Sequence, residues 1–262
     1  MAKKLENLRL DFGNLPLIEA TVRASFSTKV PLTFKFINDV YKRIESRFPT
    51  LEEPKQIEVA PGIVGPFQMS PLQITGALFS GNKQGLCVTL QDQVIVARWL
   101  KQFIMEGPAY PRFPALREAL WEIVAACKKT CGPVERPIHV LNMSYVNFLK
   151  LAHTSTVLEK YFSDKVQVQI TNSAEQTHKL EIAWRDPDGT DLRFVLEQIT
   201  AEVEQEKIEG YRLTTAAGRS LSPTDDGKAI LDEVHQRLQF FFLDVLSKEA
   251  RTEWQLEEVH DG

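Results

Sequence analysis

The chain is short of the residues that announce chemistry. It has three cysteines and five histidines in 262 residues, and no histidine follows another at the i+3 or i+4 spacing of a helical metal clamp. The cysteines, Cys87, Cys127 and Cys131, are too few for a disulfide framework. Cys127 and Cys131 lie one helical turn apart, but no further thiol stands near them to complete a tetrahedral site, so all three read as buried thiols. No apolar run approaches the roughly 20 residues needed to cross a bilayer. Met1 to Asn7 carries lysines with no apolar core behind them, so no signal peptide is expected. Basic runs are missing as well. Lys and Arg number 31 against 35 Asp and Glu, for a formal net charge of −4. That balance disfavours sequence-independent binding to nucleic acid, which needs a basic face. The expected compartment is the cytoplasm, with no membrane contact.

Local catalytic signatures fail one by one. Gly227-Lys228 resembles the end of a phosphate loop, yet Ser222 holds the place of the first Gly and Ala229 that of the closing Ser or Thr. Gly218-Arg219-Ser220-Leu221-Ser222 lacks the last Gly of a nucleophile elbow. A nuclease-like reading of Asp186-Pro187-Asp188 needs an acid two positions before a lysine, and Gln205 precedes Lys207 there. Glu202, Glu204, Glu206 and Glu209 fit one wet edge of a strand or loop. No dinucleotide fingerprint is present. Catalytic, cofactor-binding and metal-ligating residues are therefore none, and the balance leans away from an enzyme.

What is present is an ordinary soluble composition, 43% apolar and 25% charged. A chain of this length forms one large domain or two small ones and can bury roughly 75% of its unfolded surface. Ile18, Ala20, Val22, Ala24 and Phe26 alternate with polar residues, which predicts a strand. Pro31 is expected to open a helix with the stripe Phe36, Ile37, Val40, Ile44 and Phe48. The prolines of residues 50–73 predict a long irregular connection. Two hairpins follow, turning at Ser80 to Gly85 and at Gln91-Asp92-Gln93. A helix over Phe113 to Lys129 carries Leu116, Leu120, Trp121, Val124 and Cys127 on one stripe, before Gly132-Pro133.

The second half repeats the plan loosely. A strand is expected over Ile138 to Phe148, a short helix over Val157 to Phe162, and a strand through Val166, Val168 and Ile170. Leu180, Ile182 and Trp184 enter a turn at Asp186-Pro187-Asp188-Gly189, and Leu192, Phe194 and Leu196 leave it. A strand near Tyr211 to Thr215 precedes a long helix capped by Thr224. Its stripe is Ile230, Leu231, Val234, Leu238, Phe241, Phe242, Val245 and Leu246. The expected class is α+β: a largely antiparallel sheet of two similar halves, 14–132 and 133–254, within a single domain, 1–262. Three long amphipathic helices are expected mainly on one face.

Two groups of residues stand out as candidate sites. Trp99, Phe103, Tyr110 and Phe113 gather at the junction of the second hairpin with its helix. Sheet-to-helix junctions use such residues as core, but beside Arg112 they would also make hot spots for a protein partner. Arg98, Tyr145, Asn147 and His235 are the candidate polar groups of an apolar pocket between the sheet and the C-terminal helix. His235 lies one position past Val234, and serves either as a buried hydrogen-bonding residue or as an acid-base group.

The order of several motifs carries a likeness. Leu15-Pro16-Leu17-Ile18-Glu19 is the first of them. Phe79 and Ser80 mark a hairpin and Trp99 ends a strand. Tyr110-Pro111-Arg112-Phe113 leads through Leu116 and Arg117 into a helix. Tyr145 and Asn147 follow, then Leu231, Asp232 and His235, and finally Ala250, Arg251 and Trp254. The chain resembles an uncharacterised, sporadically distributed prokaryotic family that is defined only by a sequence model. Ser144 stands where that family carries an Arg before the Tyr. The resemblance implies a single α+β unit, no assigned reaction or cofactor, and a place among accessory or antiviral defence genes.

Three functions compete. The first is a non-catalytic protein-interaction module, an adaptor, regulatory subunit or inhibitor with a specific protein partner. The alternative is a small-molecule-binding protein or enzyme with an apolar pocket beside the C-terminal helix. The third, nucleic-acid binding, would need Arg98, Lys101, Arg112, Arg117, Lys128 and Lys129 on one stripe. Homo-oligomerisation is left open.

Overall fold

A computed structural model describes residues 8–11, 17–52, 76–81, 85–101, 110–131, 137–149, 160–164, 166, 179–203, 206–254 and 256–260. In chain order the elements are β1 (Leu8–Asp11), β2 (Leu17–Phe26), α1 (Phe34–Ile44), β3 (Thr50–Glu52), β4 (Gly76–Ser80), β5 (Leu86–Gln91), β6 (Val94–Leu100) and α2 (Arg112–Cys131). There follow β7 (Ile138–Leu149), β8 (Lys179–Arg185), β9 (Asp191–Val203), β10 (Glu206–Ser220), α3 (Gly227–Val245), α4 (Lys248–Glu253) and β11 (Glu257–His260). The class is α+β, with a large antiparallel sheet of nine strands ordered β3-β4-β5-β6-β2-β7-β10-β9-β8. β1 and β11 form a separate two-stranded pair, Leu8 opposite His260 and Asp11 opposite Glu257. The chain divides into two compact units, one from Met1–Thr21, Leu100–Tyr110 and Leu141–Gly262, the other from Val22–Trp99 and Pro111–Val140.

In the second of these units, α1 begins at Phe34 rather than at Pro31. Thr33 takes the cap with extended backbone, and its hydroxyl accepts the Phe36 N–H at 3.1 Å, which contributes about 1 kcal/mol. Phe36, Ile37, Val40 and Ile44 are buried, as the stripe requires. Each such side chain contributes about 1.5–3 kcal/mol of gross burial. Arg47, just past this helix, holds α2: it donates to Glu122 at 2.9 Å and to the Ala115 carbonyl at 3.1 Å. The Pro-rich connection starts later than expected, because Thr50–Glu52 already pair with β4; residues 53–75 lie outside the described residues. Both hairpins are in place, with β5 and β6 in register from Leu86 opposite Trp99 to Leu90 opposite Ile95. α2 runs from Arg112 to Cys131 and buries Leu116, Leu120, Val124 and Cys127, while Trp121 is only half-buried. The Gly132-Pro133 stop lies outside the described residues.

The first unit holds the long strands. β7 buries every second residue from Leu141 to Leu149. β10 is far longer than the expected Tyr211 to Thr215 and pairs with β9 from Gly218 opposite Asp191 to Glu206 opposite Val203. The β8–β9 turn closes with the Gly189 N–H on the Asp186 carbonyl at 2.9 Å, and Gly189 takes φ +83°, a conformation open to glycine. α3 is capped by Asp226, not Thr224. The Asp226 carboxylate accepts the N–H groups of Lys228 and Ala229, and a negative charge suits a helix start better than a hydroxyl. The stripe is buried as expected except for Ile230, which is half-buried. Val166 belongs to a helical turn rather than a strand, its N–H on the Ser163 carbonyl at 2.9 Å. Val168 and Ile170 lie outside the described residues. So does most of the short helix expected at 157–162, although Lys160 and Tyr161 are helical and Phe162 pairs with Leu246 as an isolated bridge.

Candidate functional site

β7 carries polar side chains into the core of the first unit. Its alternation buries Leu141, Met143, Tyr145, Asn147 and Leu149 on one face, so Tyr145 and Asn147 stand two positions apart on that face. α3 approaches with His235, which follows the fully buried Val234 and is itself half-buried. The Tyr145 hydroxyl lies 3.1 Å from His235 Nε2. Tyr110 donates to the same hydroxyl over a longer 3.5 Å. The rings meet edge-on, with Tyr145 at 6.2 Å from Tyr110 and 6.4 Å from His235. Tyr145 therefore donates to His235 when Nε2 is the bare nitrogen, and the three side chains form one directional chain.

Burial is the main influence on these phenols. It raises Tyr145 well above the ordinary tyrosine range, with the neighbouring Tyr110 adding to the effect. Tyr110 is also raised by burial, against the opposing effect of its hydrogen bond with Tyr145. Both hydroxyls are neutral donors at physiological pH.

Asn147 differs from its neighbour. The residue is 1% exposed, and its Oδ1 has no hydrogen-bond partner among the described residues. Thr215 on β10, 0% exposed, has an Oγ1 in the same condition. Their placement follows from two glycines. A Cβ at Gly218 would lie 2.0 Å from Asn142 Oδ1, and one at Gly210 would lie 2.5 Å from the Leu149 carbonyl oxygen. These approaches set β7 and β10 antiparallel with Gly218 facing Asn142. With Gly218 against Asn142 and Gly210 against Phe148, Thr215 falls on the same buried face of the strand pair as Tyr145 and Asn147. Trp121 Nε1, Ser163 Oγ and Arg251 Nε are also buried without a hydrogen-bond partner, but on other elements.

Sequence reasoning named Tyr145, Asn147 and His235 as pocket groups. The first two share one face of β7, and His235 reaches the Tyr145 hydroxyl. Arg98 sits half-buried on β6 in the other unit. Thr215 was missed because it interrupts the apolar alternation Tyr211, Leu213, Ala217. Gln239, one turn after His235 and 4% exposed, was missed for a similar reason.

The expected partner surface changes most. Trp99 is 1% and Phe113 7% exposed, so both are core residues and neither offers an accessible hot spot. They fill the sheet-to-helix layer, as large rings at such junctions do. Tyr110 is half-buried and committed to Tyr145. Phe103 lies outside the described residues. Arg112 alone of the described members is exposed, and its φ of 68° is the only positive value among described non-glycine residues.

A second polar cluster ties the β8–β9 turn to α3. Arg219, with 12% of its side chain exposed, donates to Asp188 at 2.7 Å, to Thr190 at 2.7 Å and to Glu233 at 2.6 Å. Arg237 reaches the same Asp188 oxygen at 3.1 Å, and Asp188 Oδ1 accepts the Thr190 N–H at 3.0 Å. Opposite charges alternate and saturate one another, so this is a structural clamp.

Among the described residues no group of three or more His, Cys, Asp and Glu is placed to hold a metal ion, and no helix is long and apolar enough to cross a membrane. No protein-family model matches the chain, and no curated protein does.

Proposed function

We propose that the chain is a non-catalytic binding protein for a small molecule held against the inner face of β7. The observation that carries this reading is Asn147: a buried amide whose oxygen no described group satisfies, two positions from the Tyr145 hydroxyl that His235 and Tyr110 engage. Buried polar groups are nearly always paired, and exceptions concentrate where a ligand or ordered water completes them. Native mass spectrometry of the chain purified without denaturation tests the reading. The expected result is a bound low-mass species, with a melting temperature that falls once the protein has been denatured and refolded in clean buffer. A mass equal to that of the chain alone, with an unchanged melt, would sink it.

Arg112 favours a second reading, the protein-interaction module. A non-glycine residue at positive φ costs about 1–3 kcal/mol and persists where its surroundings impose it, often at binding sites. Arg112→Gly would relieve the backbone and remove the guanidinium. On this reading it abolishes co-purification of a stoichiometric partner without lowering the melting temperature; an unaffected complex would count against it.

Under either reading the chain is a cytoplasmic α+β domain of the prokaryotic family it resembles, serving an accessory or defence role. Its halves, 14–132 and 133–254, repeat one plan. Support for the repeat comes from α2 and α3, of 20 and 19 residues, which lie on β5 and β10 respectively.

A further inference from the structure

Resting on the small-molecule reading, we infer that the ligand is neutral and presents at least one N–H or O–H donor, as an amide, urea or alcohol does, and that Asn147 and Thr215 select it. Among the residues whose burial is described, the buried positions of β7 and β10 carry no Lys, Arg, Asp or Glu. A charged ligand there would lose its hydration and meet no opposite charge on either strand. Neutrality follows from that.

The donor follows from the oxygens. Asn147 Oδ1 only accepts, and it has no donor among the described residues. Thr215 Oγ1 accepts or donates and is equally unpartnered. Tyr145 already spends its hydroxyl on His235 and Tyr110, so it bounds the site and fixes its orientation rather than supplying a free contact. The two oxygens lie on the same buried face of neighbouring strands, and each calls for a donor. An amide or hydroxyl meets that requirement; a hydrocarbon or a carboxylate does not.

The same geometry makes a statement about stability. A buried oxygen without a partner destabilises the protein, so an apolar side chain of similar shape is neutral or stabilising in the ligand-free state. A group kept for binding behaves in the opposite way when ligand is present. Asn147→Leu and Thr215→Val separate the two effects, and Thr215→Val changes shape so little that it guards against a folding failure of the first.

The experiment compares the three full-length proteins. Low-mass material released from each by denaturation is identified and quantified by mass spectrometry. Stripped and refolded samples are then melted with and without the fraction released from the wild type. The expected result is a neutral, donor-bearing molecule from the wild type, retained about tenfold less by each variant, the equivalent of one good hydrogen bond. Stripped variants should melt at or above the stripped wild type. If the wild type releases nothing, the small-molecule reading itself fails. If it releases a molecule that is charged, or that both variants keep, the reading survives and this inference is overturned. Stripped variants that melt well below the wild type would also overturn it, because the two side chains would then be internal supports, satisfied by ordered water.

Discussion

Replacing Asp188 with Asn tests whether the turn between β8 and β9 is held by charge. The carboxylate joins three contacts: Arg219 at 2.7 Å, Arg237 at 3.1 Å and the Thr190 N–H at 3.0 Å. Asn keeps an oxygen for Thr190 but loses the charge that both guanidinium groups face. Arg219 is the sensitive partner, since only 12% of its side chain is exposed, whereas Asp188 and Arg237 are 29% and 36% exposed. Solvent screening discounts the Arg237 contact to well under 1 kcal/mol, while the part-buried Arg219 contact retains about 1–2 kcal/mol. Asp188→Asn should therefore destabilise by about 1–2 kcal/mol, and Asp188→Ala by about 1 kcal/mol more through the lost Thr190 acceptor. For a chain of this size 1 kcal/mol moves the melting temperature by about 2–4 °C. Burial alone would raise the Asp188 carboxyl, but the Thr190 hydrogen bonds and the two arginines outweigh it and hold the group below its ordinary value. A depressed carboxylate contributes stability that is whole above the unfolded-state pKa of about 3.9 and is lost as pH falls through the folded value. Urea melts of wild type and Asp188→Asn should thus differ fully at pH 7 and converge below pH ~4. Equal stabilities at pH 7, or a gap that persists unchanged in acid, would refute the clamp.

Two further outcomes are open to measurement. Gly210→Ala would put a methyl group 2.5 Å from the Leu149 carbonyl oxygen and 2.7 Å from Phe148, and the backbone oxygen cannot move aside cheaply. A cost of about 1–3 kcal/mol in urea melts is expected, more than for Gly189→Ala, where the space is open and only the φ of +83° resists; parity between the two would place β7 and β10 further apart than described. Tyr110 and Tyr145 hold raised pKa values, so their contribution to stability is whole below about pH 10 and drains away as pH rises through the folded values. Tyrosinate absorbance should therefore appear in two steps, the later coinciding with loss of ellipticity and shrinking in Tyr145→Phe. A single step near pH 10 that precedes unfolding would contradict the buried chain.

Period and turn chemistry were legible where they were strong. The strand ending at Phe26, both hairpins, the Asp-Pro-Asp-Gly turn and the stripe of α3 all appear where alternation or helical spacing places them. Boundaries moved where a nearby side chain took the cap: Thr33 starts α1 later than the opening expected at Pro31, and Asp226 takes the cap expected of Thr224. β10 was under-read because Gly210, Ala216 and Gly218 dilute its apolar signal, although the two glycines are what allows β7 to approach so closely. The β1–β11 pair joins segments almost a whole chain apart, and four-residue strands carry no periodic signal that could announce it.

The candidate site was half legible for the same physical reason. Tyr145 and Asn147 attracted notice as polar residues inside an otherwise apolar alternation, and His235 as a polar residue beside a buried stripe. Sequence shows such a breach on one element at a time. It cannot show that Tyr145 meets His235 across 90 positions at 3.1 Å, or that Thr215 shares the buried face of Tyr145 and Asn147. Trp99 and Phe113 show the converse: large aromatics near turns look like a docking surface until burial assigns them to the core. An apolar side chain inside needs no further explanation, because burial is its stable state. A polar one inside, unpaired, does. Of the residues singled out from the sequence, the structure explains Trp99 and Phe113 by packing and Tyr145 and His235 by each other. Asn147 is left with an unmet demand, and that demand, rather than the aromatic junction, is where function should be sought first.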